Sequence, residues 1–262
     1  MDRDIVYGPV SSWRFGKSLG IDLICGEKYC TFDCLYCQLG DSGETATARR
    51  VFVGTEKIIK AVKQALVRVY AEVLTLSGSG EPTLAANMGE VIDRLHELSA
   101  LPVVVLTNGS TIPRKSVRQE LARAEVVKAK LDAASLESFD RLNRPSSTLN
   151  LEKIIGAMQS FSRIFGGYFI VEIMFTPYNM DEASELAGRV EEINPDEVQL
   201  NTPRRDSPVR QLTDAELDGI IPAFTEHGLN CRAVHRGSKP QIENIIGTEK
   251  LKKLKRFKGK LE

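Results

Sequence analysis

Glu72-Val73-Leu74-Thr75-Leu76-Ser77-Gly78-Ser79-Gly80-Glu81-Pro82-Thr83-Leu84 reads as one unit, a short apolar strand running into a glycine-rich turn. Asn87 follows as the cap of a helix carrying Val91, Ile92, Leu95 and Leu98 at helical spacing. The same order recurs downstream. Val103 to Leu106 is a strand that stops at Thr107-Asn108-Gly109-Ser110, with a helix over about 114–123 and Pro113 near its first turn. Val126 to Leu131 is the next strand, ending at Asp132. A short helix from Ser135 to Leu142, a turn over Arg144 to Ser147 and a helix from its Asn150 cap to about Arg163 lead to the strand Tyr168 to Phe175. Asp181 to Ile193 is its helix, and Glu197 to Leu200 is a strand ending at Asn201-Thr202-Pro203. Thr213-Asp214-Ala215-Glu216 has the capping-box pattern and opens a helix that stops at Gly228, before a last short strand over Cys231 to Val234.

Upstream, Thr55 caps a helix over Glu56 to Tyr70 with Ile58, Ile59, Val62, Leu66 and Val69 on one face. Ser18 to Cys25 is the first buried strand, and residues 7–17, rich in turn formers and holding Trp13, form an ordered lead-in over one end of the core. Six or more strand-helix repeats with short connections imply a parallel sheet with right-handed crossovers. The fold class expected is α/β, a parallel (β/α) barrel of the partial (β/α)6 type, with an open doubly wound sheet as the alternative. Residues 1–247 make one domain and 248–262 a tail, in which seven basic residues surround Leu251, Leu254, Phe257 and Leu261 at spacings of three and four. That tail reads as a docked terminal helix with a solvated basic face, or as a patch for a polyanion such as RNA.

Composition constrains the class without naming a partner. At 262 residues a substantial core is available without disulfide staples. Lys and Arg number 35, as do Asp and Glu, so no global charge points to nucleic acid or membrane. The charged start, Met1-Asp2-Arg3-Asp4, and the absence of any apolar run near the roughly 18 residues of a membrane span lead to the expectation of a cytoplasmic protein with no membrane partner. Five cysteines, odd in number and three of them bunched, suit reduced thiols better than a secreted disulfide framework.

The bunched three are Cys30, Cys34 and Cys37, a CxxxCxxC run. A tight loop delivers several thiolates to one point, as a metal or cluster requires. A structural zinc ion closes with four protein ligands, and here only Cys25, Cys231 or the scattered His96, His227 and His235 could add a fourth. In a [4Fe-4S] cluster three cysteines instead leave one iron open to a reactant. Polar residues close or interrupt otherwise apolar strands at Asn108, Asp132, Glu172 and Asn201, and strand C-terminal edges are where βα barrels place active sites. Glu172 inside Val-Glu-Ile-Met-Phe needs partners, and a core ion pair with Lys130 is its structural explanation. Cys25 and Cys231 read as small buried apolar residues.

The cysteine loop, with Tyr36 at the aromatic position of CxxxCxφC, resembles the signature of the radical S-adenosylmethionine (SAM) superfamily. Gly80-Glu81-Pro82 resembles that superfamily's GGE motif, and the resemblance spans about residues 8–202. It implies that Cys30, Cys34 and Cys37 hold three irons of one [4Fe-4S] cluster while SAM chelates the fourth. It also implies that Tyr36, Ser79, Gly80, Glu81, Asn108, Asp132, Glu172 and Asn201 surround SAM. The segments GPV (8–10), SLGIDL (18–23), TFDCLYCQLG (31–40), SGSGEPTL (77–84), LTNGS (106–110), Arg141 to Pro145 and VQLNTP (198–203) together resemble the iron-sulfur oxidoreductases related to tRNA wyosine synthases. Wyosine synthases carry an upstream cysteine set for a second cluster, whereas this chain has only Cys25 before its signature. The implication is one cluster and a product other than wyosine.

On this resemblance an external one-electron reductant of flavodoxin or ferredoxin type reduces the cluster. SAM is then cleaved to a 5′-deoxyadenosyl radical, and that radical takes hydrogen from a substrate, with RNA the first candidate ahead of a peptide or small metabolite. The cofactor supplies that chemistry, so no catalytic acid, base or nucleophile is assigned. Arg144, Arg204 and Arg205, in loops near the expected barrel mouth, are candidates for gripping an anionic substrate. The rival classes are a non-catalytic iron-sulfur electron-transfer or sensing protein and a zinc-containing RNA-binding module.

Overall fold

The computed structural model describes residues 5–12, 15–40, 45–205 and 207–235. Eight strands form one sheet whose spatial order is the chain order. β1 (Val6–Ser12) runs antiparallel to β2 (Gly16–Ile21). From β2 onward each strand is parallel to the next: β3 (Val73–Leu76), β4 (Val103–Thr107), β5 (Val126–Lys130), β6 (Tyr168–Met174), β7 (Glu197–Asn201) and β8 (Cys231–Ala233). The crossovers are α1 (Thr55–Arg68), α2 (Met88–Leu98), α3 (Lys115–Leu121), the pair α4 (Leu136–Leu142) and α5 (Leu151–Ile164), α6 (Ala183–Ile193) and α7 (Asp214–Thr225). Sequential order separates a barrel from the doubly wound alternative, in which the order reverses around a central strand. Among the described residues no ladder joins β8 back to β1. The result is the expected partial barrel, with six βα units from β2 to β7 followed by β8.

Alternation along the strands divides the sheet into two faces. The outward side chains, such as Leu74, Leu76, Val105, Val127, Phe169, Ile173 and Leu200, are at most 1% exposed and join the helices in one continuous apolar core. Each such side chain contributes about 1.5–3 kcal/mol by leaving water. The inward side chains begin at the N-terminal end of the strands with a separate apolar plug of Phe15, Val73, Val104, Val126 and Ile170. Above that plug the inner face turns polar: Ser18 bonds Thr75 at 2.6 Å, and Lys128, Glu172, Gln199 and Asn201 are all buried.

Four local readings change. The lead-in is largely the edge strand β1, which tolerates Pro9 because an edge needs no complete set of ladder donors. β2 ends at Ile21 rather than running to Cys25, since Asp22 turns back to accept the Ile24 N–H at 2.9 Å and Cys25 adopts φ 51°. Thr55 sits inside α1, with Gly54 as its N-cap, and its hydroxyl donates to Glu90 at 2.9 Å. Asn87 precedes α2 but sends its amide to the Val53 carbonyl and Thr55 Oγ1, both at 3.0 Å, instead of capping. Asn150 and Thr213 do cap α5 and α7 through the N–H groups of Lys153 and Glu216. Trp13 and the tail at 248–262 lie outside the described residues.

Candidate active site

The loop carrying Cys30, Cys34 and Cys37 leaves the C-terminal end of β2 and is clamped on both flanks by backbone. On one flank the Tyr29 N–H donates to the Ser79 carbonyl at 3.0 Å and the Glu81 N–H to the Tyr29 carbonyl at 3.0 Å, a parallel bridge centred on Tyr29 and Gly80. Gly80 has φ 146°, and a Cβ there would stand 1.9 Å from the Tyr29 carbonyl oxygen, so no larger residue fits. Gly78, at φ 148°, meets the Asp22 carboxylate in the same way. On the other flank Asp33 and Leu35 donate to the Asn143 and Leu142 carbonyls at 3.0 and 2.8 Å, and Ser146 donates to Thr31 at 2.9 Å. Within the loop Lys28 pairs with Asp33 and donates to the Gly40 carbonyl at 2.7 Å, closing the loop around the cysteines.

The three thiols are half-buried. Burial, reinforced by the charge of Glu81, pushes the Cys30 thiol up to about 12, and burial also raises Cys34 against the opposing charge of Lys130. A metal supplies the positive charge that overcomes this preference for the protonated form. Two amides already reach these sulfurs: Asn108 Nδ2 lies 3.4 Å from Cys30 Sγ and Asn143 Nδ2 3.5 Å from Cys34 Sγ.

The remaining expected residues converge on the same mouth in two networks. In the first, Glu81 is 2% exposed and accepts from Thr107 Oγ1 at 2.7 Å, the Asn108 N–H at 2.6 Å and Thr83 Oγ1 at 2.6 Å, tying the loop after β3 to that after β4. Its carboxyl is raised by burial, with these donors opposing. Ser79 donates through N–H and hydroxyl to Asp22 at 2.9 and 2.5 Å. In the second, the Tyr36 hydroxyl donates to Asp132, which also accepts from Asn143 Nδ2 at 3.0 Å and the Met174 N–H at 2.7 Å. Lys130 donates to the Tyr36 hydroxyl at 3.0 Å and lies 4.4 Å from the centroid of that ring.

Glu172 pairs with Lys128 at 2.6 Å, and Asn201 Nδ2 donates to the same carboxylate at 3.2 Å. This corrects the partner expected for Glu172. Lys130 is its register neighbour across the β5–β6 ladder, yet the Lys130 ammonium turns up toward Tyr36 and Asp132 and leaves Glu172 to Lys128.

The donor set fits an iron-sulfur cluster: three thiols come from one clamped loop, two side-chain amides already reach their sulfurs, and thiolates are the ligands such clusters take.

The Radical SAM superfamily model matches residues 28–190, from the cysteine loop into α6. The chain belongs to the radical SAM superfamily. Membership carries SAM-dependent radical chemistry and iron-sulfur binding with it. Over 215 residues this radical SAM protein is 39% identical to the UPF0026 protein slr1464 of Synechocystis, covering 82% of this chain and 79% of that one. Its fold is similar to that of Streptococcus suis SuiB bound to S-adenosylmethionine, with a TM-score of 0.62, 17% identity and coverage of 81% of this chain and 49% of SuiB. It is also similar to TYW1 with a lysine-pyruvate adduct bound, with a TM-score of 0.60, 17% identity and coverage of 80% and 73%.

Of the three candidate arginines, Arg205 reaches the cysteine loop by donating to Gln38 at 2.7 Å. Arg204 turns instead toward Asp214 and the Val234 carbonyl, and Arg144 is exposed beside the loop's second clamp. Cys25 donates to the Asp22 carbonyl at 2.9 Å, while Cys231 lies on β8 at the far end of the sheet, packed against the core. Two site residues escaped the sequence reading, Asn143 and Lys128. The signal for Lys128 was present in Val126-Val127-Lys128-Ala129-Lys130, where lysines two apart in an apolar strand must share its inner face. Asn143 is the residue that ends α4, and a cap position gives no periodic signal.

Among the described residues no helix is long and apolar enough to cross a membrane.

Proposed function

We propose that this chain is a radical SAM enzyme in which Cys30, Cys34 and Cys37 hold a single [4Fe-4S] cluster whose fourth iron takes SAM. The observation that carries this reading is the double clamp, which fixes a three-thiol loop at the C-terminal mouth of the barrel between Gly80 and Asn143. When bound, the cluster and SAM supply one-electron cleavage of the sulfonium bond to the 5′-carbon of SAM, giving a radical that abstracts hydrogen.

The protein's part is binding, orientation and exclusion of water. Gly80 keeps the loop's backbone against the β3 turn, and Glu81 joins that turn to Asn108. Ser79, through Asp22, holds the turn in the shape that presents its backbone toward the amino-acid end of SAM. The Tyr36 ring, held by Asp132 and Lys130, would line the SAM site beside the cysteine loop. Glu172 and Asn201, hydrogen-bonded to each other, would supply carboxylate and amide groups for SAM hydroxyls. A flavodoxin- or ferredoxin-type carrier delivers the electron in the cytoplasm, and an RNA is the first candidate substrate, ahead of a peptide or small metabolite. Residues 1–247 form the single catalytic domain, with 248–262 as a basic tail.

The test is anaerobic reconstitution, iron and sulfide analysis, and reduction with dithionite in the presence of SAM. The reading expects a [4Fe-4S] cluster and release of 5′-deoxyadenosine. A loaded protein that never cleaves SAM, with or without cell extract, contradicts it and favours an electron-transfer or sensing role.

A further inference from the structure

Two side-chain amides reach cysteine sulfurs from different parts of the barrel, and neither is held by the sulfur alone. Asn108, just after β4, donates Nδ2 to Cys30 Sγ at 3.4 Å and to Thr31 Oγ1 at 2.8 Å. Its Oδ1 accepts the Ser110 N–H at 3.0 Å, and its own N–H is held by Glu81 at 2.6 Å. Asn143, the C-terminal cap residue of α4, is 2% exposed. Its Nδ2 lies 3.5 Å from Cys34 Sγ, 3.0 Å from Asp132 Oδ2 and 3.4 Å from the Tyr36 hydroxyl. Both amides are therefore oriented before any ligand arrives, so their N–H groups point at sulfur without a further loss of rotamer freedom.

We propose that Asn108 and Asn143 are positioning residues that hydrogen-bond two thiolate ligands of the cluster and raise its reduction potential. This rests on the reading that the three cysteines hold an iron-sulfur cluster. Adding one electron from the external reductant puts more negative charge on the cluster and its sulfurs, with no bond made or broken. An N–H donor stabilises a sulfur more as its charge grows, so it favours the reduced form. In a half-buried loop the donors also replace water that would otherwise solvate the thiolates. Outer donors of this kind tune metal centres without being ligands.

The test is a redox titration of the reconstituted full-length protein, followed by electron paramagnetic resonance in the absence of SAM. Asn143→Leu and Asn108→Leu are each expected to lower the equilibrium constant for reduction about tenfold, or about 59 mV for a one-electron couple. Loaded variants with the wild-type potential overturn the proposal while the cluster reading stands. A wild-type protein that takes up no iron and sulfide overturns both.

Should the leucine variants fail to fold or load, wild-type protein carrying side-chain 15N-asparagine decides the question. Nitrogen hyperfine coupling to the reduced cluster is expected, and its absence overturns the proposal.

Discussion

The two faces of one sheet are built on opposite principles. On the outer face every strand presents aliphatic or aromatic side chains to the helices, and Val105, Val127, Val171 and Leu200 are fully buried there. On the inner face the apolar plug around Phe15 and Val104 gives way toward the strands' C-terminal ends to Lys128, Lys130, Glu172, Gln199 and Asn201. Apolar burial stabilises wherever it occurs, whereas a buried ion pair repays its desolvation only when its geometry is complete. The difference shows which face answers to stability and which to chemistry. The helices pack on residues that could be exchanged for others of similar size, while the mouth relies on particular partners such as Lys128 for Glu172 and Asp132 for Tyr36.

The sharpest way to break that contrast is at the loop that closes the inner face. Replacing Cys30, Cys34 or Cys37 by Ala is expected to abolish iron and sulfide uptake completely, measured by chemical analysis after anaerobic reconstitution, while the protein stays folded by circular dichroism. Iron uptake at the wild-type level in any of the three would remove that cysteine from the ligand set.

Next comes the buried pair. Glu172→Leu alone leaves the Lys128 ammonium buried at 4% side-chain exposure and is expected to destabilise the metal-free protein by about 3–5 kcal/mol in urea melts. Lys128→Met together with Glu172→Leu is expected to restore at least the wild-type stability while impairing SAM binding. A double variant as unstable as the single one would show that the pair itself holds the barrel.

Phe169→Ala, on the outer face and 1% exposed, is expected to lose about 3–5 kcal/mol. Unlike the inner substitutions, it should leave cluster content per folded molecule unchanged, checked on the same preparation.

The smallest effect belongs to the solvent-facing rim. Hydrogen bonds from Arg210 and from the Thr213 N–H hold the Glu216 carboxyl down at about 2, below its ordinary 4.5. A depressed carboxyl pKa adds stability that is complete above the ordinary value and disappears as pH falls through the folded one. Carbon-detected NMR titration should therefore give Glu216 a midpoint near 2. A midpoint near 4.5 would show that the hydrogen bonds from Arg210 and from the Thr213 N–H are not held in solution.

What the chain revealed before folding follows the same division. The outer face and the apolar plug announced themselves together, because apolar runs such as Val103-Val104-Val105-Leu106 and helical stripes such as Ile58, Val62 and Leu66 follow from residue type and backbone period alone. The edge strand β1 did not, because Gly8 and Pro9 interrupt its pattern and an edge needs only one complete ladder. At the mouth, the cysteines and polar strand ends were legible as residue types in sequence order. Their partners were not. Glu172 faces Lys130 in register, yet its ion pair runs diagonally to Lys128, and Asn143 reaches Cys34 from a helix end 109 residues away. Such contacts depend on how loops fold back over the sheet, which no local period encodes.

On the proposed reading, three thiols on the clamped loop leave one iron for SAM. Electron paramagnetic resonance of the dithionite-reduced, reconstituted protein, recorded with and without SAM, tests it most directly. A reduced [4Fe-4S] signal whose g-values change on addition of SAM is expected. A cluster signal identical in the two samples would mean that SAM does not reach the iron.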